Sequence, residues 1–496
     1  MANTQTSQPK RTQGTAADNL DRHLISGVLW TGIAKWGTQA LSWASTIIVA
    51  RLLTPADFGI VSLATVYLGL LSLVSEFGVG TAIVSLRDLD EDQVAQLNSF
   101  AVALGIVGFL FSCVAARPMG RYFNVPQLPI ALVVMSLGFV VSAFQSVPMA
   151  LLQRDLQFKT LSVIDGIRAV VLAAATVGFA LAGLGYWTLI YGSLLSTALG
   201  TGLIVFRSPH RFARPNLESL RHAMVFSWRV LVARLAWYSY SNADFVVAGK
   251  TLGQTALGSY TLAWNIATMP VEKITSLIGG VTPAFFSTIQ NDRAELRKYL
   301  LNITEGVALL TFPAAFGLAL IAKPFVITLL GPKWSSVVVP LQLLTVYVSV
   351  RSISPILPHV LNVTGGTRFG MWSALLNVVL FPPAFYIGSR WGASGIATAW
   401  IAIYPISIVP LYWRVFRDIQ LRLSQYLKVL IPALTSSLVM ALGVFITSRT
   451  LPASLPGVVI LVLLVVVGIV LYVASILLFF RDRASAIYRR LRPRPA

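Results

Sequence analysis

The sequence predicts an all-α integral membrane protein: about fourteen transmembrane helices, built as two six-helix lobes around a central cavity, plus two appended helices. Three observations predict it. Of the 496 residues, 56% are hydrophobic and only 11% charged, less than half of the roughly 25% charged residues usual in soluble domains. Apolar runs of about 18 residues or more, enough to cross a bilayer, recur from end to end. A short punctuated stretch also occurs twice, once in each half of the chain.

The elements follow in order. The opening 1–24, beginning "MANTQTSQPKRTQG", is polar and is expected to be a disordered cytoplasmic arm. It lacks the basic, apolar and small-residue order of a cleaved signal peptide, so the first span is expected to be retained. Spans are read at 27–49, 59–84, 97–116, 129–151, 161–182 and 184–206, giving an N-lobe over 25–206. A cytoplasmic linker over 207–222 follows. Spans at 225–248, 257–287, 301–322, 337–362, 369–387 and 392–413 give a C-lobe over 223–416. Spans at 428–448 and 457–480 fill 417–480, and a basic cytoplasmic tail occupies 481–496.

The formal charge of +20 is placed asymmetrically. With the N-terminus in the cytoplasm, about 24 Lys and Arg lie on that side, about 8 outside and about 6 within spans, which is the positive-inside pattern. Both termini are then cytoplasmic, and the charge orients the chain rather than serving nucleic acid. The tail "RDRASAIYRRLRPRPA" suits an anionic leaflet of membrane lipid. One loop dissents: "SLRDLDEDQ", residues 85–93, is cytoplasmic in this topology yet acidic.

The repeat lies in "VARLLTPADFGIV" (49–61) and "VAGKTLGQTALGSY" (247–260). Ala50 and Ala248 are 198 residues apart, and Gly59 and Gly258 are 199 apart. In each copy a helix ends, a turn containing Gly or Pro follows, and another helix begins. Six spans separate the copies, so both run in the same direction. That is a parallel repeat about an axis along the membrane normal, and lobes so related enclose an alternately opening cavity. In span 6, Gly192, Ser196 and Gly200 form a small-residue stripe suited to close helix packing.

Ionisable residues at bilayer depth are costly unless they face a wet interior or a partner. Lys35 lies mid-way along span 1, with Gln39 on its face. Arg234 lies in span 7, with Tyr238 on its face, and Arg351 lies near the centre of span 10. Either these three cations form an anion site, or each pairs with a buried acid. The acids available are Glu76, Asp244 and Glu272. Asp165 and Arg168, three apart on span 5, are placed to satisfy each other. Pro270 is expected to kink span 8. Trp36, next to Lys35, and Tyr238, one turn from Arg234, add aromatic rings beside two of these cations.

Catalysis has little support. The four histidines are scattered, the single cysteine lies inside a span, and no phosphate-binding glycine loop precedes a helix. No metal site, cofactor or catalytic residue is therefore assigned.

The stretch from Gly27 to Val84, above all "ARLLTPADFG" followed by "SEFGVGTAIV", resembles the first two helices of the polysaccharide transporter family. These are the Wzx-type flippases of the multidrug/oligosaccharidyl-lipid/polysaccharide exporter superfamily. "DFVVAGKTLGQTALGSYTLAWN" resembles the start of that family's second lobe. The resemblance implies a flippase in the bacterial inner membrane. It would move undecaprenyl-diphosphate-linked oligosaccharide from the cytoplasmic to the periplasmic leaflet, handing it to polysaccharide polymerase machinery. Exopolysaccharide, O-antigen and capsule are all compatible products. In this picture Lys35, Arg234 and Arg351 hold the diphosphate, Gln39, Trp36 and Tyr238 also meet the substrate, with the two rings stacking on sugars, and Asp244, Glu272 and Glu76 serve a coupling proton or sodium ion. Span 11 offers Ser373 and Asn377 but no carboxylate, which counts against a sodium site of the kind some relatives have. A drug or organic-cation antiporter of the same superfamily is the main rival, ahead of a membrane glycosyltransferase or polymerase.

Overall fold

The computed structural model describes residues 37–76, 79–80, 83, 89–216, 231–232, 234–279, 286, 289, 292–452 and 454–481. These residues are overwhelmingly helical, and no strand occurs among them. We number the helices α1 (37–52), α2 (Pro55–Glu76), α3 (Glu91–Phe123), α4 (Leu128–Arg154), α5 (Phe158–Leu181), α6 (Trp187–Arg207) and α7 (234–241). Then follow α8 (Ala243–Gly279) and α9 (Arg293–Phe325), the latter continued by a π turn, Val326–Leu330, and a 3-10 turn, Pro332–Val337. The chain closes with α10 (Val338–Ser352), α11 (Leu357–Val363), α12 (Thr367–Gly388), α13 (Gly392–Asp418), α14 (Leu423–Thr450) and α15 (Gly457–Phe479). Ten stretches of described residues are long and apolar enough to cross a membrane. One of them, Arg368–Asp418, holds both α12 and α13 around the turn Ser389–Trp391.

Local chemistry explains the punctuation. Thr54 caps α2: the Asp57 carboxylate accepts hydrogen bonds from the Thr54 amide (2.8 Å) and hydroxyl (2.7 Å), while the Asp57 amide donates to Thr54 Oγ1 at 3.3 Å. Pro55 takes the first helical position, where its missing N–H costs nothing. In the second copy the break is a single residue. Gly253 sits at φ 79°, ψ 176° inside α8, a conformation only glycine adopts freely. The expected spans 7 and 8 thus meet at one glycine instead of a longer turn, and α8 runs through Pro270 with its helical dihedrals intact.

The dissenting acidic loop resolves similarly. Asp90 caps α3, accepting from the Gln93 amide at 2.6 Å, while Gln93 Oε1 accepts from the Asp90 amide at 3.2 Å. Glu91 and Asp92 occupy the first turn, where the helix dipole favours negative charge.

The small-residue stripe packs α6 onto α5. A Cβ on Gly192 would lie 2.5 Å from Thr176 Cγ2, and one on Gly200 would lie 2.3 Å from Arg168 Cδ; Ser196 donates to the Arg168 carbonyl at 3.0 Å. Arg168 therefore spends its side chain on this seam, and the expected pair with Asp165 is not among the ion pairs of the described residues. The helices beyond 416 clasp the C-terminal half. Tyr472 on α15 donates to the Leu309 carbonyl on α9 at 2.6 Å, and Ser475 donates to Ser436 on α14 at 3.2 Å.

At the end of the bundle bearing residues 50–59, the two halves lock together. α2 crosses α8 so closely that a Cβ on Gly59 would sit 1.8 Å from the Gln254 carbonyl oxygen. Reciprocally, a Cβ on Gly258 would sit 1.8 Å from the Pro55 carbonyl oxygen. One turn further, Thr261 donates to Ser62 at 2.8 Å. Gly59 and Gly258, Pro55 and Gln254, and Ser62 and Thr261 are each 199 residues apart. Each residue therefore meets its counterpart, or that counterpart's neighbour, across the crossing. The end of α1 joins the same seam: Trp334 Nε1 donates to the Ala50 carbonyl at 2.8 Å, Lys333 donates to the Arg51 carbonyl at 2.6 Å, and Phe58 packs edge-on against Trp334.

Candidate functional site

A cavity of about 350 Å³ lies between α2, α4 and α3, with Arg234 of α7 on its wall. The α4 residues on it recur at helical spacing from Phe139 to Gln153, so one face of that helix looks inward. Its polar members are Ser142, Gln145, Ser146 and Gln153, joined by Ser72 of α2. No carboxylate is among the lining residues. At about 1.5 Å rise per residue, Ser72 is about 26 Å along α2 from Pro55, and Ala101 is about 33 Å along α3 from Phe123. The cavity thus occupies the far half of the bundle, away from the locked end.

The sequence-predicted residues separate into distinct places. Arg234 is exposed to the cavity and makes no ion pair among the described residues. Tyr238, one turn on, is committed elsewhere: its hydroxyl donates to the Val66 carbonyl at 3.0 Å, and it fills the space a Cβ on Gly69 would need. Arg351 is half-buried with its guanidinium 6.0 Å from the Trp264 ring centroid, within electrostatic reach of Glu272 and of Tyr347, Tyr404 and Tyr240. It does not line the Arg234 cavity. Glu272 is exposed on α8 and Gln39 half-buried on α1. Lys35 and Trp36 lie outside the described residues, as does the side chain of Glu76.

Asp244 has the most distinctive setting. It is completely buried at the start of α8. Its Oδ2 accepts from the Tyr260 hydroxyl at 2.7 Å and from Trp400 Nε1 at 3.0 Å, and the backbone amides of Asp244 and Phe245 also face the carboxyl. Trp400 is wrapped by Tyr347, Phe381 and Phe385, with ring centroids 4.7 to 4.8 Å away. A carboxylate in such apolar surroundings is costly to bury unless donors meet it, and here Tyr260 and Trp400 supply them. Asn377 on α12 buries an unpartnered Oδ1.

Sequence reasoning attended to charges and passed over the α4 amides. Two glutamines and two serines on one face of an otherwise apolar span were a legible sign of a wet surface.

Comparison with known proteins follows the same outline. The profile of the Polysaccharide biosynthesis protein family matches residues 48–339, more than half of the chain. The lipopolysaccharide biosynthesis protein WzxC of Escherichia coli (strain K12) is 27% identical over 410 residues, covering 81% of this chain and 82% of that protein. The succinoglycan biosynthesis transport protein ExoT of Rhizobium meliloti (strain 1021) is 26% identical over 476 residues, covering 94% and 96%. Among solved structures, the lipid II flippase MurJ in an inward closed conformation aligns with a TM-score of 0.77 at 14% identity. That alignment covers 92% of this chain and 100% of MurJ, and it shows a shared fold. With its bundle of membrane-crossing helices and this match over residues 48–339, the chain belongs to the polysaccharide biosynthesis protein family.

Proposed function

We propose that this multi-pass membrane protein is a flippase carrying undecaprenyl-diphosphate-linked oligosaccharide from the cytoplasmic to the periplasmic leaflet by alternating access. The observation that carries the reading is a polar, carboxylate-free cavity bearing Arg234, confined to one half of a bundle whose other end is locked shut. In this reading the chain makes fourteen passes, and the reciprocal contacts at an offset of 199 support two lobes related by a pseudo-twofold axis. With both termini in the cytoplasm, the locked end is periplasmic and the cavity opens inward.

The physics suits the task. Moving one unpaired hydroxyl into hydrocarbon costs roughly 4–8 kcal/mol, and a glycan carries many. A solvated cavity replaces that lost water, Arg234 offsets the charge of the diphosphate, and the polyprenyl tail stays in lipid. A lining with a cation and no carboxylate suits an anionic headgroup over an organic cation. Arg351 and Lys35 complete the path of the diphosphate on the C-lobe and N-lobe sides.

Asp244 serves coupling. The groups that meet its carboxyl are donors, Tyr260 and Trp400, and donors repel a metal cation, so the setting suits a proton better than sodium. Glu272, within electrostatic reach of Arg351, is the second acid assigned to coupling on that side.

The test is translocation of undecaprenyl-diphosphate-linked oligosaccharide in proteoliposomes. Arg234→Ala is expected to abolish it while the protein stays folded. No transport by the unmodified protein above empty vesicles would refute the function.

A further inference from the structure

The polar face of α4 has no task in the function as described so far. Gln145 Oε1 is buried and unpartnered, and the side chains of Ser146 and Gln153 make no hydrogen bond among the described residues. The Ser142 and Ser72 hydroxyls give their protons to the Phe139 and Gly69 carbonyls of their own helices, so their oxygens are left as acceptors. A membrane helix bears such groups at a cost unless something polar meets them. We propose that Ser142, Gln145, Ser146 and Gln153 form a saccharide subsite, which binds the hydroxyls of the sugars nearest the diphosphate held by Arg234.

The chemistry fits hydroxyl-rich cargo. Each glutamine offers two donors and an acceptor, matching a sugar hydroxyl that both gives and takes a proton. The volume, about 350 Å³, is at the low end of the roughly 300–1,000 Å³ of small-molecule sites, so it accepts a short saccharide and not a whole chain. The small residues Ala143, Ala150 and Gly80 keep the floor open; a Cβ on Gly80 would meet nothing nearer than 3.9 Å. Apolar contact comes from Phe139 and Met149. Discrimination follows because amides placed for hydroxyls are left unpaired by a lipid without them.

The subsite rests on the flippase reading, and its test separates the two. Purified full-length protein in nanodiscs is titrated with undecaprenyl diphosphate and with undecaprenyl-diphosphoryl-galactose. The unmodified protein is expected to bind the glycosylated lipid more tightly. Gln145→Leu and Gln153→Leu are each expected to lower that affinity roughly three- to tenfold, leaving the bare lipid unaffected. The near-isosteric Gln145→Met, which removes the amide at similar volume and adds no charge, serves should the leucine variant fail to fold. Equal affinity for both lipids, with silent variants, would overturn the subsite and leave the flippase intact. Failure of the unmodified protein to bind either lipid would overturn both.

A separate set of contacts carries a second inference. Arg51, at the end of α1, donates from Nε and Nη2 to the carbonyls of Leu329 and Thr328, each at 2.5 Å. Lys250 donates to the Tyr122 carbonyl at 2.6 Å, with its ammonium 4.4 Å above the Tyr122 ring. The two cations are 199 residues apart, the offset of the glycine crossing. Each caps the C-terminal end of a long helix in the other half: Lys250 caps α3, and Arg51 caps the π turn that ends α9.

We infer that Arg51 and Lys250 form a paired latch holding this end closed, which must release before the cavity can open there. In a Cys113→Ala background, spin labels at Gln127→Cys and Arg390→Cys, exposed turns of the two halves at this end, report the opening. Arg51→Ala and Lys250→Ala are each expected to raise the open-to-closed ratio about tenfold, and the double variant more. An unchanged distance distribution in the double variant would overturn the latch, as would an equal response to Lys298→Ala, whose ion pair with Glu295 is solvent-exposed.

Discussion

The crossing of α2 over α8 offers the sharpest test of alternating access. Gly59→Ala adds one methyl at a point where a Cβ would lie 1.8 Å from Gln254 O, 2.6 Å from its carbonyl carbon and 3.0 Å from its Cα. All three are backbone atoms, so no side chain can swing aside, and the helices themselves must separate. Overpacking of this kind costs about 1–3 kcal/mol. If opening at this end parts α2 from α8, the closed state bears the whole cost and the open state none. The open-to-closed ratio should then rise roughly 5- to 150-fold. The distance between labels at Gln127→Cys and Arg390→Cys measures that ratio directly. Gly258→Ala should act in the same direction, with a Cβ 1.8 Å from Pro55 O. The two glycines share one contact, since the Gly258 Cβ would also lie 2.8 Å from the Gly59 amide nitrogen, so the double variant should fall short of the sum. Gly105→Ala is the control. Its Cβ would lie 2.6 Å from Ala143 Cβ and 2.8 Å from Phe139 O, inside the α3–α4 pair, and it should lower thermal stability without moving the distance. A Gly59→Ala protein that loses stability like Gly105→Ala and keeps the unmodified distance distribution would refute the reasoning.

Other perturbations have equally definite outcomes. Asp244→Asn keeps an acceptor for Tyr260 and Trp400 and should fold normally, yet lose acceleration of transport by a proton gradient in vesicles; undiminished gradient-driven transport would exclude Asp244 from coupling. Asp244→Ala strands both donors and should in addition lower the melting temperature, at a cost of about 1–3 kcal/mol for each group left unsatisfied. Trp334→Phe keeps the ring against Phe58 but removes the donor to the Ala50 carbonyl, and should cost about 1–3 kcal/mol in thermal unfolding. His210, in the linker, buries an unpartnered Nε2, and desolvation lowers its pKa from 6.5. The detached linker binds that proton more readily than the docked one, so docking of 208–216 on α3 is intact above pH 6.5 and weakens as pH falls below it. Hydrogen exchange at Ala213, whose amide donates to Ser99 Oγ, should show that loss in the unmodified protein and not in His210→Phe.

What could be read from the sequence was whatever depends on periodicity and local chemistry. The apolar spans, the small-residue stripe of α6 and the turn at Thr54–Asp57 need only neighbours along the chain, so their residue types announced them. The doubled stretch was also legible as a repeat, but its physical purpose was not. Gly59 and Gly258 resembled turn residues, whereas their missing side chains are what let two helices touch backbone to backbone. Arg51 and Lys250 were hidden likewise. A cation beside a turn at a membrane edge is unremarkable until the carbonyls it caps are located, and those lie 277 and 128 residues away. Tyr238 shows the reverse limit. Its position one turn beyond Arg234 suggested the cavity, but about 100° of rotation per residue leaves a four-residue step some 40° off axis, and its hydroxyl meets Val66 instead. Arg234 and Arg351 share a depth on paper and not a cavity in space, because depth follows from counting along a helix while convergence depends on how helices are turned against each other. Residue type alone therefore marks Arg234, Arg351 and Asp244 as charges at depth. The partners that give each residue its role are set by long-range packing, and the α4 amides show that a polar stripe on an apolar helix can be as informative as a charge.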